Sequence, residues 1–278
     1  MKVACVGPEY TFSEEAAAAR FPDCETVSIE PPVWHVVEHV ATGQVSCGVI
    51  PFYNLETKRS GTTFPAIYAK LAESGLYVTE VVKHRIEWCA MAHRPLGNAT
   101  TIYSQEQGVG QCSKWVDRWI DGAKVVFTGS TAEAAVNASR DPASMALGSK
   151  RAAEGHGVPI RARGIQNDPN NATWFYVIGP SLHAEHDATC HTLIACRGTG
   201  PDVDQLLDLS GVEVSWTDSW VVDRDPDVAL EFIELEGHCE SAASQAIAAL
   251  LEEHREWARI VGCYADFDRD GIVSVMQG

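Results

Sequence analysis

Short apolar, β-rich runs alternate with helical patterns through the first half of the chain, and this alternation constrains the fold more than any other feature. Runs at residues 3–6, 26–29 and 47–52 are each followed by a helical pattern, at 14–20, 33–42 and 64–72. Strand and helix in this rhythm predict parallel strands joined by crossover helices. A long strand region at 76–93 interrupts the rhythm. It resumes with strands at 101–104, 124–128 and 145–147 and helices at 109–120, 131–139 and 150–154. Two α/β lobes are expected, with strand ends around a shared cleft, which is where open α/β sheets hold ligands.

A further strand at 174–178 leads into a polar stretch, Gly179-Pro180-Ser181-Leu182-His183-Ala184-Glu185-His186, of linker composition. Beyond it the order becomes strand (190–196), helix (203–209), strand (212–222), strand (228–235), helix (241–253) and strand (258–263). This βαββαβ order is the ferredoxin-like plan of an α+β domain. The charge shifts at the same place: residues 189–278 hold eighteen acidic residues against five arginines and no lysine, net −13, while the rest is near −4. The expected division is therefore 1–186 and 187–278, two units for 278 residues.

A formal charge of −17 with no basic stripe argues against a nucleic-acid or anionic-membrane partner. The first residues run straight into a strand, and no apolar run approaches about 18 residues, so a cytoplasmic protein is expected. Nine cysteines, an odd number without a CxxC pair, predict reduced and buried thiols rather than a disulfide framework.

Several motifs admit both a chemical and a structural reading. Thr11-Phe12-Ser13-Glu14 follows Gly7-Pro8 as a capping box, a turn that can face an anion or simply cap a helix. Hydroxyl-rich strand ends recur at Tyr103-Ser104-Gln105, Gly129-Ser130-Thr131 and Gly148-Ser149. Several such ends around one cleft suit an anionic ligand held by dipoles and hydroxyls. His35, Glu38 and His39 match the HxxEH zinc pattern without an evident third ligand, and an i, i+4 His pair is common on amphipathic helices. Asp266 to Gly271 copies half a calcium loop but has Gln277 at the twelfth position. His183, His186, Cys190 and His191 fit no named metal spacing.

Taken in order, these segments resemble the prephenate dehydratase family over nearly the whole chain. Gly7-Pro8-Glu9-Tyr10-Thr11-Phe12-Ser13-Glu14 is similar to its GPxGTFSE opening, Gly48-Val49-Ile50-Pro51 to GVxP, and Tyr103-Ser104-Gln105-Glu106-Gln107 to YSHPQ. Gln111-Cys112-Ser113-Lys114-Trp115 resembles the helix that follows. Ser130-Thr131 resembles the ST motif, Ala146-Leu147-Gly148-Ser149 ALGS, Asn171-Ala172-Thr173-Trp174-Phe175 NxTRF, and Val261-Gly262-Cys263-Tyr264 the closing GCYP. The resemblance implies a two-lobed, periplasmic-binding-protein-like (type II) catalytic part, a C-terminal ACT-like domain, a homodimer or homotetramer, and a small-molecule substrate, prephenate or an analogue.

The departures carry information too. Trp174 stands where the family has an arginine, whose bidentate grip on a carboxylate no indole supplies. Tyr10 replaces a glycine, Gln105-Glu106 replaces His-Pro, and the loop from Asn54 to Gly61 is three residues longer than the family's ENSxxG, so Asn54 and Thr57 compete for the Asn position. Arg197 to Asp202 and Asp218-Ser219-Trp220 depart from the GALV and ESRP patterns, so phenylalanine feedback does not carry over.

The resemblance places Thr173 near the ring hydroxyl, and Trp174 is expected to pack on the ring. Thr11, Ser13, Ser104, Ser130, Thr131 and Ser149 line the cleft and bind the two carboxylates, and Phe12, Asn54, Gln105, Gln107 and Phe175 complete the binding set. Thr173, Ser130 and Thr131 are the expected catalytic residues. A related branch, the prephenate decarboxylases, lacks the arginine, retains the ring hydroxyl and gives a non-aromatic dihydro-4-hydroxyphenylpyruvate. With Trp174 at that position, decarboxylation is the leading expectation. Dehydration of prephenate or a modified prephenate to phenylpyruvate, water and CO2 is the alternative, and a non-catalytic sensor the third reading. No cofactor or metal is expected, because the latent aromaticity of prephenate drives CO2 loss.

Overall fold

The computed structural model describes residues 1–57, 63–120, 122–182, 189–198, 216–220 and 229–267. The first lobe is built from β1 (Lys2–Val6), α1 (Phe12–Arg20), β2 (Glu25–Ile29), α2 (Trp34–Ala41), β3 (Cys47–Asn54), α3 (Thr63–Ser74) and β4 (Tyr77–Arg85). As the alternation predicts, β1 lies parallel between β2 and β3. Late in the chain β10 (Ala172–Gly179) inserts antiparallel between β3 and β4.

The second lobe contains β5 (Cys89–Met91), β6 (Thr101–Ser104), α4 (Glu106–Gln111), α5 (Ser113–Trp119), β7 (Lys124–Phe127), α6 (Thr131–Arg140), β8 (Ser144–Gly148), α7 (Lys150–Gly155) and β9 (Ile160–Arg163). Its five strands run in the order β7-β6-β8-β5-β9. The chain crosses between lobes twice, at residues 86–88 and 164–171. These crossings lie side by side: Ile86 N–H donates to Asn171 O at 2.8 Å and Ile165 N–H to Trp88 O at 3.2 Å. The strand region expected at 76–93 is therefore two strands in two sheets, because apolar content continues through the crossing while the pairing partner changes. The helix expected at 109–120 is likewise two helices, broken at Cys112, whose φ of −114° is not helical. Strand β9 was not expected at all; its alternating half-buried pattern (Ile160-Arg161-Ala162-Arg163) is too short and too charged to stand out.

Beyond residue 188 come β11 (Cys190–Gly198), β12 (Trp216–Trp220), β13 (Ala229–Glu236), α8 (Ala242–His254) and β14 (Trp257–Ala265). The four strands are antiparallel in the order β12-β13-β11-β14, and α8 covers one face through Ile247 and Leu251. The helix expected at 203–209, the ends of the strand expected at 212–222, and most of the Asp266–Gly271 turn lie outside the described residues. This sheet is continuous with the first lobe's, because β14 meets β4 in parallel at Gly262 and Val78, making nine strands in all. Glycine eases the junction: a Cβ on Gly262 would lie 3.0 Å from Val78 Cβ and 3.1 Å from Val78 O, so β4 would have to give by a few tenths of an ångström. Arg259 reinforces it by donating to Leu76 O at 3.1 Å and Leu71 O at 3.3 Å. Burial holds this guanidinium below its ordinary pKa.

Candidate active site

Between the lobes lies a cavity of about 740 Å³. The first lobe contributes the start of α1 (Thr11, Phe12, Ser13), the end of β3 (Tyr53, Asn54) and β10 (Thr173, Phe175). The second contributes Gln105, Gln107, Gln111, Gly129, Ser130 and Thr131, with Trp88 from the crossing.

Two helices aim their N-termini into it, both capped in the same way. Thr11 Oγ1 accepts Glu14 N–H at 3.4 Å and Ser130 Oγ accepts Glu133 N–H at 3.0 Å. The two glutamates reach back to the amides of Tyr10 and Gly129. A cap satisfies one of the first-turn amides and leaves others without intrahelical partners, and each helix adds the positive end of its dipole. Thr131 is 1% exposed, and its Oγ1 has no hydrogen-bond partner among the described residues. A buried hydroxyl of this kind costs about 1–3 kcal/mol until a ligand satisfies it. No Lys, Arg, Asp or Glu lines the cavity among the described residues. Anions are thus met by dipoles and neutral donors.

In the cavity wall and behind it three side-chain amides form a closed ring. Asn54 Nδ2 donates to Asn171 Oδ1 at 3.0 Å, Asn171 Nδ2 to Gln111 Oε1 at 2.8 Å, and Gln111 Nε2 to Asn54 Oδ1 at 3.2 Å. Each residue comes from a different piece of chain: β3, the returning crossing and α4. The ring thereby fastens the first lobe to the second. Trp88 Nε1 adds a bond to Gln111 Oε1 at 2.7 Å. Asn54 Nδ2 also donates to Thr173 Oγ1 at 2.9 Å, which turns the Thr173 hydroxyl proton away from Asn54. Thr57 donates through both N–H and Oγ1 to Asn54 Oδ1, so Asn54 and Thr57, which the sequence left competing, are both present. An adjoining mouth of about 440 Å³ shares Thr57, Gln107 and Gln111 and adds Glu56, Lys114 and Asp168. Burial pushes the Glu56 carboxyl above its ordinary range, against the opposing pull of the Asp168 N–H it accepts at 2.8 Å.

Ten of the thirteen expected site residues line the cavity: Thr11, Phe12, Ser13, Asn54, Gln105, Gln107, Ser130, Thr131, Thr173 and Phe175. Three do not. Ser104 is fully buried against Gly108, and its Oγ donates to Leu147 O at 3.5 Å. Ser149 caps α7 by accepting Ala152 N–H at 3.0 Å and donates to Tyr10 O at 2.9 Å, joining the lobes. Trp174 is fully buried in the first lobe's core, because alternation along β10 turns it away from the cavity that Thr173 and Phe175 face. Its ring meets Tyr53 edge-on at 5.5 Å, and Lys83 Nζ lies 4.8 Å from the ring centroid. The expectation that this indole packs on the substrate ring is corrected accordingly.

Gln111, Asn171 and Trp88 were missed as site residues. The only signal for them was the match of Gln111 and Asn171 to family motifs. Tyr10, at φ +67°, occupies the left-handed region that favours the family's glycine, and its ring lies against Gly155 of α7 and 5.2 Å from His156. Arg151 Nη2 reaches Glu14 Oε1 at 2.8 Å and completes this seam between the lobes. As for the HxxEH pattern, His35 Nδ1 bonds Glu30 O and His39 Nδ1 bonds His35 O. Of the second metal grouping, His183 and His186 lie outside the described residues. His191 is engaged by Glu234 and Asp266 at 3.3 and 2.9 Å. No described helix is long and apolar enough to cross a membrane.

The prephenate dehydratase family model matches residues 3–182. A bifunctional chorismate mutase/prephenate dehydratase of Pseudomonas aeruginosa is 30% identical over 281 residues, covering 95% of this chain and 73% of that protein. The Neisseria gonorrhoeae protein of the same description is 25% identical over 273 residues, covering 95% and 74%. A solved prephenate dehydratase from Arthrobacter aurescens, in complex with L-Phe, superposes with a TM-score of 0.82 at 19% identity and covers both chains fully, which makes the fold common to the two. With two lobes enclosing a cavity lined by helix N-termini and neutral polar side chains, and a family model spanning both of them, the chain belongs to the prephenate dehydratase family of lyases.

Proposed function

We propose that the chain converts prephenate to phenylpyruvate, releasing water and CO2 together. The observation that carries this reading is the bond from Asn54 Nδ2 to Thr173 Oγ1, which leaves the Thr173 proton to be offered to an oxygen in the cavity. In the elimination the ring C–C bond to the carboxylate breaks, its electron pair enters the ring, and the C–O bond breaks at the opposite carbon. The hydroxyl departs as water, with the one added proton drawn from solvent, and the ring becomes aromatic. Donation from Thr173 to the departing oxygen stabilises charge that grows only in the transition state. The α1 and α6 N-termini, with Ser13, Ser130 and the unpartnered Thr131 hydroxyl, are assigned the two carboxylates.

Decarboxylation, the leading expectation from the sequence, drew its physical support from an indole beside the reacting carboxylate, and the dehydratase alternative now fits better. Burial of Trp174 in the core removes that support. We further read residues 1–186 as the catalytic unit, residues 187–278 as an ACT-like regulatory and dimerisation unit, and the protein as a homodimer or homotetramer, to be checked by light scattering. The Arthrobacter relative was crystallised with L-Phe; the departures at residues 197–202 and 218–220 argue against the same effector here.

The test is incubation with prephenate while following ultraviolet absorbance and product mass. Phenylpyruvate is expected. A product heavier by one water would establish simple decarboxylation and overturn the proposal, as would unconsumed prephenate.

A further inference from the structure

At one end of the C-terminal sheet, sulfur ligands collect from three stretches of chain. Cys190 opens β11, Cys263 lies near the end of β14, and His238 and Cys239 occupy the turn between β13 and α8. Thr192 pairs directly with Cys263 across β11 and β14. Cys190, two residues earlier, therefore shares the face of Cys263 and sits diagonally beside it. The turn is pinned over this spot: Gly237 N–H donates to Cys190 O at 2.7 Å, and Gln245 Nε2 to Cys239 O at 2.7 Å. Cys239 N–H donates to Cys263 Sγ at 3.4 Å.

One ligand atom each of His238, Cys239 and Cys263 lie within 4.8 Å of one another, and among the described residues no other three His, Cys, Asp or Glu groups are so placed. Cys190, Cys239 and Cys263 are buried, while His238 opens towards solvent. Thiolates with one imidazole form a soft donor set that suits zinc and discriminates against magnesium and calcium. Tetrahedral zinc with sulfur at about 2.3 Å sets its ligand atoms roughly 3.8 Å apart, so His238, Cys239 and Cys263 need to close by no more than about 1 Å, while Cys190 lies outside this close group and would swing in from its diagonal position beside Cys263. His238 Nδ1 accepts Glu240 N–H at 3.1 Å, and the cation would take the place of that hydrogen.

We propose that Cys190, His238, Cys239 and Cys263 form a structural zinc site that clips β11 and β14 to the turn entering α8. Four protein ligands leave no open position for catalysis, and none of the four lines the cavity.

The full chain, purified under reducing conditions and stripped of metal, is titrated with Co²⁺ and then with Zn²⁺. The expected result is one Co²⁺ per chain, with the intense visible bands of a tetrahedral ion, sulfur-to-cobalt charge transfer in the near ultraviolet, and displacement by one equivalent of Zn²⁺. Cys239→Ser and Cys263→Ser should each weaken binding by more than about 100-fold, since loss of an outer-shell partner alone costs 10–100-fold. Cys24→Ser and Cys47→Ser, in the first lobe, should leave it unchanged. Should the serine variants fail to fold, the unaltered protein still decides: Zn²⁺ should shield three thiols from an aromatic disulfide reagent. Absence of stoichiometric cobalt, an octahedral spectrum, binding that survives the Cys239→Ser/Cys263→Ser double change, or thiols equally reactive with and without Zn²⁺ would each overturn the site.

Discussion

Replacing Thr173 by valine separates the chemical role of its hydroxyl from any structural one. Asn54 Nδ2 has two hydrogens and three acceptors within reach, Thr173 Oγ1 at 2.9 Å, Asn171 Oδ1 at 3.0 Å and Ala172 O at 3.1 Å. With Thr173 Oγ1 removed, two acceptors remain for two hydrogens and nothing is orphaned. The cost to stability should therefore stay near the net worth of one hydrogen bond, about 1 kcal/mol. Catalysis should suffer far more. Loss of one preorganised donor to a developing oxygen charge costs about 2.7–4 kcal/mol, or 10²–10³ in kcat. Phenylpyruvate formation from prephenate gives kcat, and a urea melt gives stability. Thr173→Ser, which keeps the donor, should retain most of the rate. A valine variant within fivefold of the parent's kcat, or one whose stability loss matched its rate loss, would refute the assignment of Thr173 to the leaving oxygen.

Four further outcomes are expected. Thr131→Val should leave the unliganded protein as stable or more so, because it removes an unpartnered buried hydroxyl, while raising KM several-fold; urea midpoints and steady-state kinetics check both halves. Gln111→Leu should cost about 2–6 kcal/mol, since it strands the buried donors of Trp88 and Asn171, and should change Trp88 fluorescence. Trp174→Ala should destabilise the fold by about 3–5 kcal/mol yet leave phenylpyruvate as the product, and a changed product would return this residue to the chemistry. Because the Glu56 carboxyl is held above its ordinary value, the stability its protonated form contributes is complete below about pH 4.3 and is lost as pH rises through the raised value. Urea midpoints from pH 4 to 7 should show that loss, and Glu56→Gln should flatten it.

Alternation of strand and helix was legible because burying a two-sided sheet forces apolar runs and amphipathic helices into a fixed rhythm. The cap at Thr11 was legible too, since a hydroxyl three residues before a glutamate is a local device, and the same device at Ser130 and Glu133 stood out only as a hydroxyl-rich strand end. What stayed hidden depended on distant partners. Ser104 and Ser149 have the same chemistry as Ser130, and only packing against Gly108 and Tyr10 takes them out of the cavity. Trp174 was misjudged because a motif names a position, whereas the face of a strand decides what that position touches. The amide ring joins residues 57 to 117 positions apart in sequence, a separation at which no spacing rule operates.

The meeting of β14 and β4 at a single glycine makes the C-terminal sheet and the cavity wall parts of one mechanical train. Val78 lies eight residues before Ile86, along an extended strand that stretches little, and Ile86 and Trp88 belong to that wall. Strand β4 is thus the direct covalent route by which a displacement at this junction would reach the crossing between the lobes, much as a rod joins a handle to a hinge.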